Sequence, residues 1–349
     1  MAATNGSDLS PETSNSGAGT ELWSSASWRG MATTWLDEQL SAAGIQRTGE
    51  IEQLHLRPWA TALRAATSAG LVWLKAAGPG TRFEVGLYEI LERAVPGHVL
   101  APIAIDLARG WMLLPDGGVP LGEQVSGSAL IDAMTDILPQ YAEVQRRVAP
   151  EIESLLALGI TDMRAQVMPQ RFEEALDLVG ARVRGDADRE ILQRVYGLRA
   201  TFASWCGQLA AMPGQASLDH NDLHPWNVFV GDGHPRRARF YDWGDSVVAH
   251  PFSSMLVGLG YLHTQVGIPI GSPELTRLRD AYLDGFRDLA PHRELVETLE
   301  LACRVGKVAR ALTWERALRA QGDDVPPDFA PAPIETLASL LDESYLGGA

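Results

Sequence analysis

The sequence is short of cysteine, with two in 349 residues, Cys206 and Cys303. That excludes a disulfide framework, and the apolar helical surroundings of both predict buried free thiols. It is also short of positive charge: 29 Lys and Arg stand against 44 Asp and Glu, a net charge of −15. The clustered cations of a nucleic-acid surface are missing, which excludes nucleic acid as a partner. The same balance is compatible with a cationic substrate. No window approaches the ~18 consecutive apolar residues of a membrane span. Residues 1–20, rich in Ser, Gly, Thr and Asn, lack the basic start and apolar core of a secretory leader and read as a disordered tail. The expected location is cytoplasmic. What remains is ordinary for a folded chain, 46% hydrophobic and 21% charged, and long enough for one large domain or two lobes.

The first third reads as strand-rich. A helical pattern over about 23–43 carries Trp28, Met31, Trp35, Leu36 and Leu40 and ends near Gly44. Ile51–Leu56 alternates as a half-buried strand, and Arg57–Thr61 interrupts it. Two β-runs follow, Ala62–Thr67 and Leu71–Lys75, with Ser68-Ala69-Gly70 as a hairpin turn. A helix over Arg82–Leu91 comes next, then an extended pair, Ile103–Leu107 and Trp111–Leu114, closed by the turn Pro115-Asp116-Gly117-Gly118. Beyond it the pattern turns helical. Residues 187–211 present one apolar face, and 129–148 do so with Pro139 expected to kink or restart the helix. The expected organisation is a tail over 1–20, an N-terminal nucleotide-binding lobe over 21–117 and a helical lobe over 118–349 holding the catalytic and acceptor sites.

Within the helical region lies His220-Asn221-Asp222-Leu223-His224-Pro225-Trp226-Asn227, and fourteen residues later Asp242-Trp243-Gly244-Asp245. The first has the spacing H-x-D-x-x-x-x-N, in which the Asp accepts a hydroxyl proton and the Asn holds Mg²⁺. The second stands where a phosphate-bridging metal finds its Asp ligand. Asp222 is therefore the candidate base, and Asn227 and Asp242 are hard oxygen ligands suited to Mg²⁺. Lys75 ends the apolar run Leu71–Leu74, as does a strand lysine that reaches nucleotide phosphates; its carboxylate partner is Glu84, with Glu89 as competitor. The Arg57–Thr61 loop lacks a glycine-rich signature, so backbone N–H groups and the Thr61 hydroxyl would have to meet phosphate. His220 braces the loop, whereas His224 either packs in it or approaches substrate. Asp245 either supports the metal site or caps the next segment. Near the C-terminus Glu315 falls close to the apolar stripe Leu301, Val305, Val308 and Leu312, beside Trp314 and near Arg310 and Arg316. A carboxylate beside an indole suits polyols and ammonium groups; the plainer reading ends the stripe in water or at an arginine.

These residues resemble the aminoglycoside phosphotransferase and choline kinase-like superfamily. The catalytic loop is similar to its H-G-D-x-H-x-x-N and the second motif to its D-F/W-x-D, with Asn221 and Trp226 in place of common glycines. The resemblance covers roughly residues 45–320. It implies an α+β, protein-kinase-like bilobal fold with a β-rich N-terminal lobe and a helical C-terminal lobe. It further implies ATP with Mg²⁺, a small-molecule hydroxyl acceptor, and a hinge near Leu113, Pro115 and Gly117 whose backbone receives adenine. Within the superfamily the chain looks most like actinobacterial glucosamine kinases, on Pro58-Trp59-Ala60-Thr61, Asp242-Trp243-Gly244-Asp245 and Thr313-Trp314-Glu315-Arg316. That resemblance implies phosphorylation of D-glucosamine to glucosamine 6-phosphate, with Asp222 at the 6-hydroxyl and Trp314 and Glu315 holding the sugar and its amine.

Three alternatives stand beside it. An aminoglycoside O-phosphotransferase needs many carboxylates for its polycationic substrates, and the region after Asp245 offers few. A maltokinase-like sugar kinase would carry a longer N-terminal cap. A nucleotide-binding pseudokinase would lack at least one of Lys75, Asp222, Asn227 and Asp242, and all four are present. The chain after Asp242 passes to His250-Pro251 without a long activation loop or an A-P-E element, which argues against a protein kinase.

Overall fold

The computed structural model describes residues 18–57, 59–231, 237–321 and 329–348. The expected tail thus lies outside the described residues as far as 17, and helix already begins at Ala18. The single N-terminal helix read from the sequence is two, α1 (Ala18–Ser24) and α2 (Ala26–Ala42), because Ser25 stops one and its hydroxyl accepts from the Trp28 N–H to cap the other. Gly44 follows at φ 72, a left-handed turn that ends the helical path.

Five strands follow, β1 (Arg47–Arg57), β2 (Ala60–Thr67), β3 (Gly70–Ala77), β4 (Ala104–Asp106) and β5 (Trp111–Pro115), with α3 (Phe83–Ala94) inserted after β3. They form one sheet in the order β1-β2-β3-β5-β4. Period-two alternation divides the sheet's faces. Leu63, Ala65, Val72, Leu74 and Leu113 face α2, where Trp28 and Trp35 meet Trp111 edge-on at 5.8 and 5.7 Å. Met112 and Leu114 face the main core with α3. Lys75 pairs across from Ala62 and Met112, so its side chain shares the α3 face.

The remainder is helical: α4 (Leu121–Gln124), α5 (Gly127–Val148), α6 (Ile152–Ala157), α7 (Met168–Arg182), α8 (Asp186–Tyr196), α9 (Arg199–Ala211), α10 (Met255–Thr264), α11 (Pro273–Asp284), α12 (His292–Gln321) and α13 (Ala332–Ala338). Two readings are corrected here. Pro139 does not restart α5, since Leu138, Tyr141 and Ala142 are wholly buried around it and their packing offsets the ~3 kcal/mol of an interior proline. Residues 187–211 are two helices rather than one, parted at Gly197-Leu198. Short strands β6 (Thr161–Asp162), β7 (Ser217–Asp219) and β10 (Val247–Ala249) make one small sheet, and β8 (Val228–Val230) and β9 (Ala238–Phe240) make another. They carry the two motifs on a rigid frame. Buried polar groups of α5 fix that frame: Gln145 Nε2 donates to Leu218 O at 3.1 Å and Pro251 O at 2.9 Å, and the His220 N–H donates to Tyr141 Oη at 3.0 Å. Cys206 and Cys303 are free and buried, as their surroundings predict. Among the described residues no helix is long and apolar enough to cross a membrane.

Candidate active site

Lysine occurs at two positions in the chain, 75 and 307. Lys307 is buried and donates to the Ser339 and Ser344 carbonyls, so Lys75 alone faces the cleft between sheet and helices. Its Nζ donates at 2.7 Å to Glu84 Oε1 and at 2.7 Å to Asp242 Oδ1. The strand lysine, the α3 carboxylate and the second motif therefore meet in one place, and Glu84 rather than Glu89 is the partner. Burial would pull the ammonium down, but Asp242 and Glu84 outweigh it and hold Lys75 above its ordinary value. Glu84 is wholly buried, and burial raises it against the pull of Lys75. Its Oε1 also accepts from the Trp243 N–H at 3.0 Å, and its Oε2 has no partner. Asp242 is half exposed. It sits at φ 62, one of two non-glycine residues in left-handed backbone among the described residues. That turn aims the carboxylate back at Lys75, while the Trp243 ring is wholly buried against His220.

The other left-handed residue is Asn221, at φ 58, in the catalytic loop. Beside it Asp222 Oδ1 accepts from Arg310 at 3.0 Å, and its Oδ2 accepts from Asn227 Nδ2 at 3.2 Å. Burial raises the Asp222 carboxyl, but Arg310 and the nearby His224 prevail and hold it well below the usual carboxylate range. Asp222 is thus ionised at neutral pH, which suits a group that orients a hydroxyl and accepts its proton late. Asn227 also donates to the Asp222 carbonyl at 2.9 Å. With the nitrogen committed to the loop, its Oδ1 is the ligand atom that remains. His224 Nε2 lies 3.4 Å from Asp222 Oδ2 and 3.2 Å from Asn227 Nδ2, and its ring tilts over Tyr261 at 5.1 Å. His220 braces the loop, its Nε2–H donating to the Tyr241 carbonyl at 3.0 Å. Among the described residues no three His, Cys, Asp or Glu side chains cluster as a metal cage. Asn227 and Asp242 offer hard oxygens, which fits Mg²⁺ held partly by phosphate.

Helix α12 closes the site, and the sequence reading missed its largest contribution. Arg310, Thr313 and Arg316 recur every three residues on one face. Arg310 donates to the Asn221 carbonyl at 2.8 Å besides Asp222, and Arg316 donates to the Gly244 carbonyl at 2.9 Å and Asp245 Oδ1 at 3.0 Å. One helix therefore grips both motifs. The signal was the recurrence of arginines along an apolar stripe. Asp245 is raised, first by burial and then by Asp222, against Arg316 and Arg310. Trp314, half-buried, lies under the Arg310 guanidinium at 4.8 Å and stacks on Phe329 at 5.8 Å.

Three expected residues stand elsewhere. Glu315 is 2% exposed and accepts from Arg182 of α7 at 2.7 Å, about 100° round the helix from its neighbour Arg316; its partner is an arginine, not the cleft. Thr61 is not in a loop but inside β2, wholly buried, its hydroxyl donating to His55 O at 2.7 Å and accepting from Gln53 at 2.9 Å. That removes it from phosphate. Pro58 of the same segment lies outside the described residues, and the Trp59 carbonyl accepts from the Gly78 N–H at 2.7 Å; any Cβ at 78 would lie 2.8 Å from that oxygen. Leu113 lies inside the sheet, its carbonyl accepting from the Ile103 N–H at 2.7 Å and its side chain packed in the tryptophan layer, rather than in the linker. Pro115 ends β5 at the edge of the linker, where Gly117 packs against the Phe229 ring.

No curated protein matches the chain. Among solved structures, a macrolide 2'-phosphotransferase type I superposes with a TM-score of 0.57 at 16% identity, over 88% of this chain and 96% of that one. A Plasmodium vivax ethanolamine kinase gives 0.58 at 11%, over 95% of each. The GDP complex of wild-type aminoglycoside 2'-phosphotransferase-IIIa gives 0.57 at 14%, over 88% and 96%. At such identities the likeness establishes the fold, α+β and protein-kinase-like. A match to the phosphotransferase enzyme family runs over residues 74–295 and takes in Lys75, Glu84 and both motifs. It spans more than half of the sequence, and the chain belongs to that family.

Proposed function

We propose that the chain transfers the γ-phosphoryl group of ATP to a hydroxyl of an amino sugar, D-glucosamine giving glucosamine 6-phosphate. The observation that carries the transfer is Lys75 bridging Glu84 and Asp242 at 2.7 Å each, in a site that also holds Asp222 under Arg310. In this reading Lys75 meets the α- and β-phosphates, and Glu84 keeps it aligned. Mg²⁺, held by Asn227 Oδ1 and Asp242, would neutralise the charge that develops on the transferred group. Asp222 receives the acceptor hydroxyl, orients it toward phosphorus and takes its proton as the new P–O bond forms. Adenine would lie along the Pro115–Gly117 linker, which divides a nucleotide lobe over 21–117 from a catalytic lobe over 118–349.

The acceptor reading rests on what surrounds Asp222. His224 and Tyr261 stand on one side, and Trp314 stands on the side of Arg310. Aromatic faces suit the apolar faces of a sugar ring. Glu315 is closed off against Arg182, whereas Asp245, although paired with arginine, is a third exposed and is the carboxylate an amine would meet. The carboxylates on the α12 side of the cleft, Asp222 and Asp245, carry arginine partners, which favours a small acceptor over the polycationic antibiotics of the aminoglycoside alternative.

The test is ADP release by purified protein with ATP and Mg²⁺ against glucosamine, glucose, N-acetylglucosamine, maltose, choline and kanamycin, with product identified by ³¹P NMR. Glucosamine should give the highest kcat/KM. A higher value for kanamycin or choline overturns the acceptor and leaves the transfer chemistry standing.

A further inference from the structure

The sequence places Asn221 where the related loops carry a common glycine, and the backbone explains both residues. Position 221 adopts φ 58. Glycine enters that region without strain, and asparagine is among the few other residues that tolerate it. Asparagine brings a side chain that glycine does not have. Asn221 is 3% exposed, and its Nδ2 donates to Thr313 Oγ1 at 2.7 Å and, at 3.4 Å, to the Asp245 carbonyl. Its own N–H donates to buried Asp219 Oδ1 at 2.8 Å, and its carbonyl accepts from Arg310 at 2.8 Å. One residue thus joins the catalytic loop, the metal-side motif and α12. Thr313 precedes Trp314 and follows Arg310 by three residues, so the bond acts on the stretch of helix that reaches Asp222.

We propose that Asn221 is a positioning residue for acceptor recognition: its side-chain amide fixes the catalytic loop to the acceptor-facing stretch of α12 through Thr313. The inference rests on the reading above that Asp222 and Trp314 bound the acceptor. It assigns Asn221 no contact with nucleotide. Without the amide, every remaining side-chain tie between the loop and α12 among the described residues runs through Arg310, to the Asn221 carbonyl and to Asp222, and the loop loses its hold on Thr313 one turn further along the helix. A misplacement there weakens acceptor binding more than the affinity for ATP.

The experiment uses Asn221→Gly, which keeps the left-handed backbone and deletes the amide, and Thr313→Val, which removes the same bond from the helix side. Each should raise acceptor KM roughly fivefold, the factor a hydrogen bond of typical strength carries, with ATP Kd unchanged. The double variant should be no worse than either single one, because both remove one interaction. Hydrogen exchange over residues 219–227 and 310–316 should rise together in both singles, a readout that needs no turnover. Multiplicative effects in the double variant, or wild-type acceptor KM in Asn221→Gly, overturn the inference. Joint loosening of the two segments in a protein that turns over no sugar sustains the tie and refutes the acceptor reading instead. If Asn221→Gly fails to fold, Thr313→Val alone decides: unchanged acceptor KM and unchanged exchange over 219–227 overturn the inference.

Discussion

Arg310 donates to Asp222 at 3.0 Å, and the guanidinium is 8% exposed where the carboxylate is a quarter exposed. The arginine, not the metal-side motif, keeps the candidate base ionised. Arg310→Met should therefore do two things. It should lower kcat by roughly 10²-fold, the scale of removing one oriented charge from a transfer site. It should also let burial dominate Asp222, so that its carboxyl rises and the active carboxylate is lost sooner as pH falls. The acid limb of kcat/KM should move to higher pH than in the wild type. An unmoved acid limb would count against Arg310 as the cause.

Lys75 and Glu84 divide their labour unequally. Lys75→Met removes the charge that meets phosphate and should cost kcat about 10²- to 10³-fold. Glu84→Gln keeps the shape and the bond from Trp243 but weakens alignment, so the loss should be about tenfold. Steady-state kinetics with varied ATP separates the two. Equal losses would mean that Glu84 acts on substrate directly.

Trp314 and Glu315 are neighbours in sequence and opposite in their consequence for the acceptor. Trp314→Ala should raise acceptor KM about tenfold and also lower stability by about 1–3 kcal/mol, because the ring is packed between the Arg310 guanidinium and Phe329. Glu315→Gln should leave acceptor KM unchanged and lower Tm, since it leaves Arg182 without its carboxylate partner, at a cost of about 1–2 kcal/mol for a partly exposed pair. A raised KM in Glu315→Gln would return the carboxylate to the cleft.

These contrasts show where the sequence was legible. Asp222, Asn227 and Asp242 could be read because a transfer site demands those residue types at those spacings, and the strand run before Lys75 set its position. Arg310 and Arg316 could not, because their partners lie some 70–90 positions away and helical periodicity gives a face but not its neighbour. Glu315 stood open between the cleft and an arginine for the same reason: the stripe shows that it is buried, and only the packing of α7 shows against what. Thr61 was lost to a boundary, since a strand that resumes at Ala60 turns a loop hydroxyl into a core one.

Asp219 offers a test at the base of the loop. It is 1% exposed, and burial pushes its carboxyl up to about 6 although Ser254 Oγ and the Asn221 N–H donate to it. A carboxyl raised in the folded state binds its proton more tightly than in the unfolded chain. Its contribution to stability is full below the ordinary value of 3.8 and is lost as pH rises through about 6. Asp219→Asn cannot titrate, so its stability relative to wild type should be greater at pH 7.5 than at pH 4.5, by about 2 kcal/mol. Chemical denaturation at both pH values measures it; a constant difference would contradict the burial argument.

In the proposed transfer Asp222 acts on the acceptor, and the nucleotide groups lie elsewhere, on Lys75, Glu84 and Asp242. The most direct measurement is turnover and ATP binding by Asp222→Ala with glucosamine and Mg²⁺, beside the wild type. ADP release should fall by at least ~10³-fold, with nucleotide Kd within about twofold. Turnover at the wild-type rate in Asp222→Ala would contradict that role.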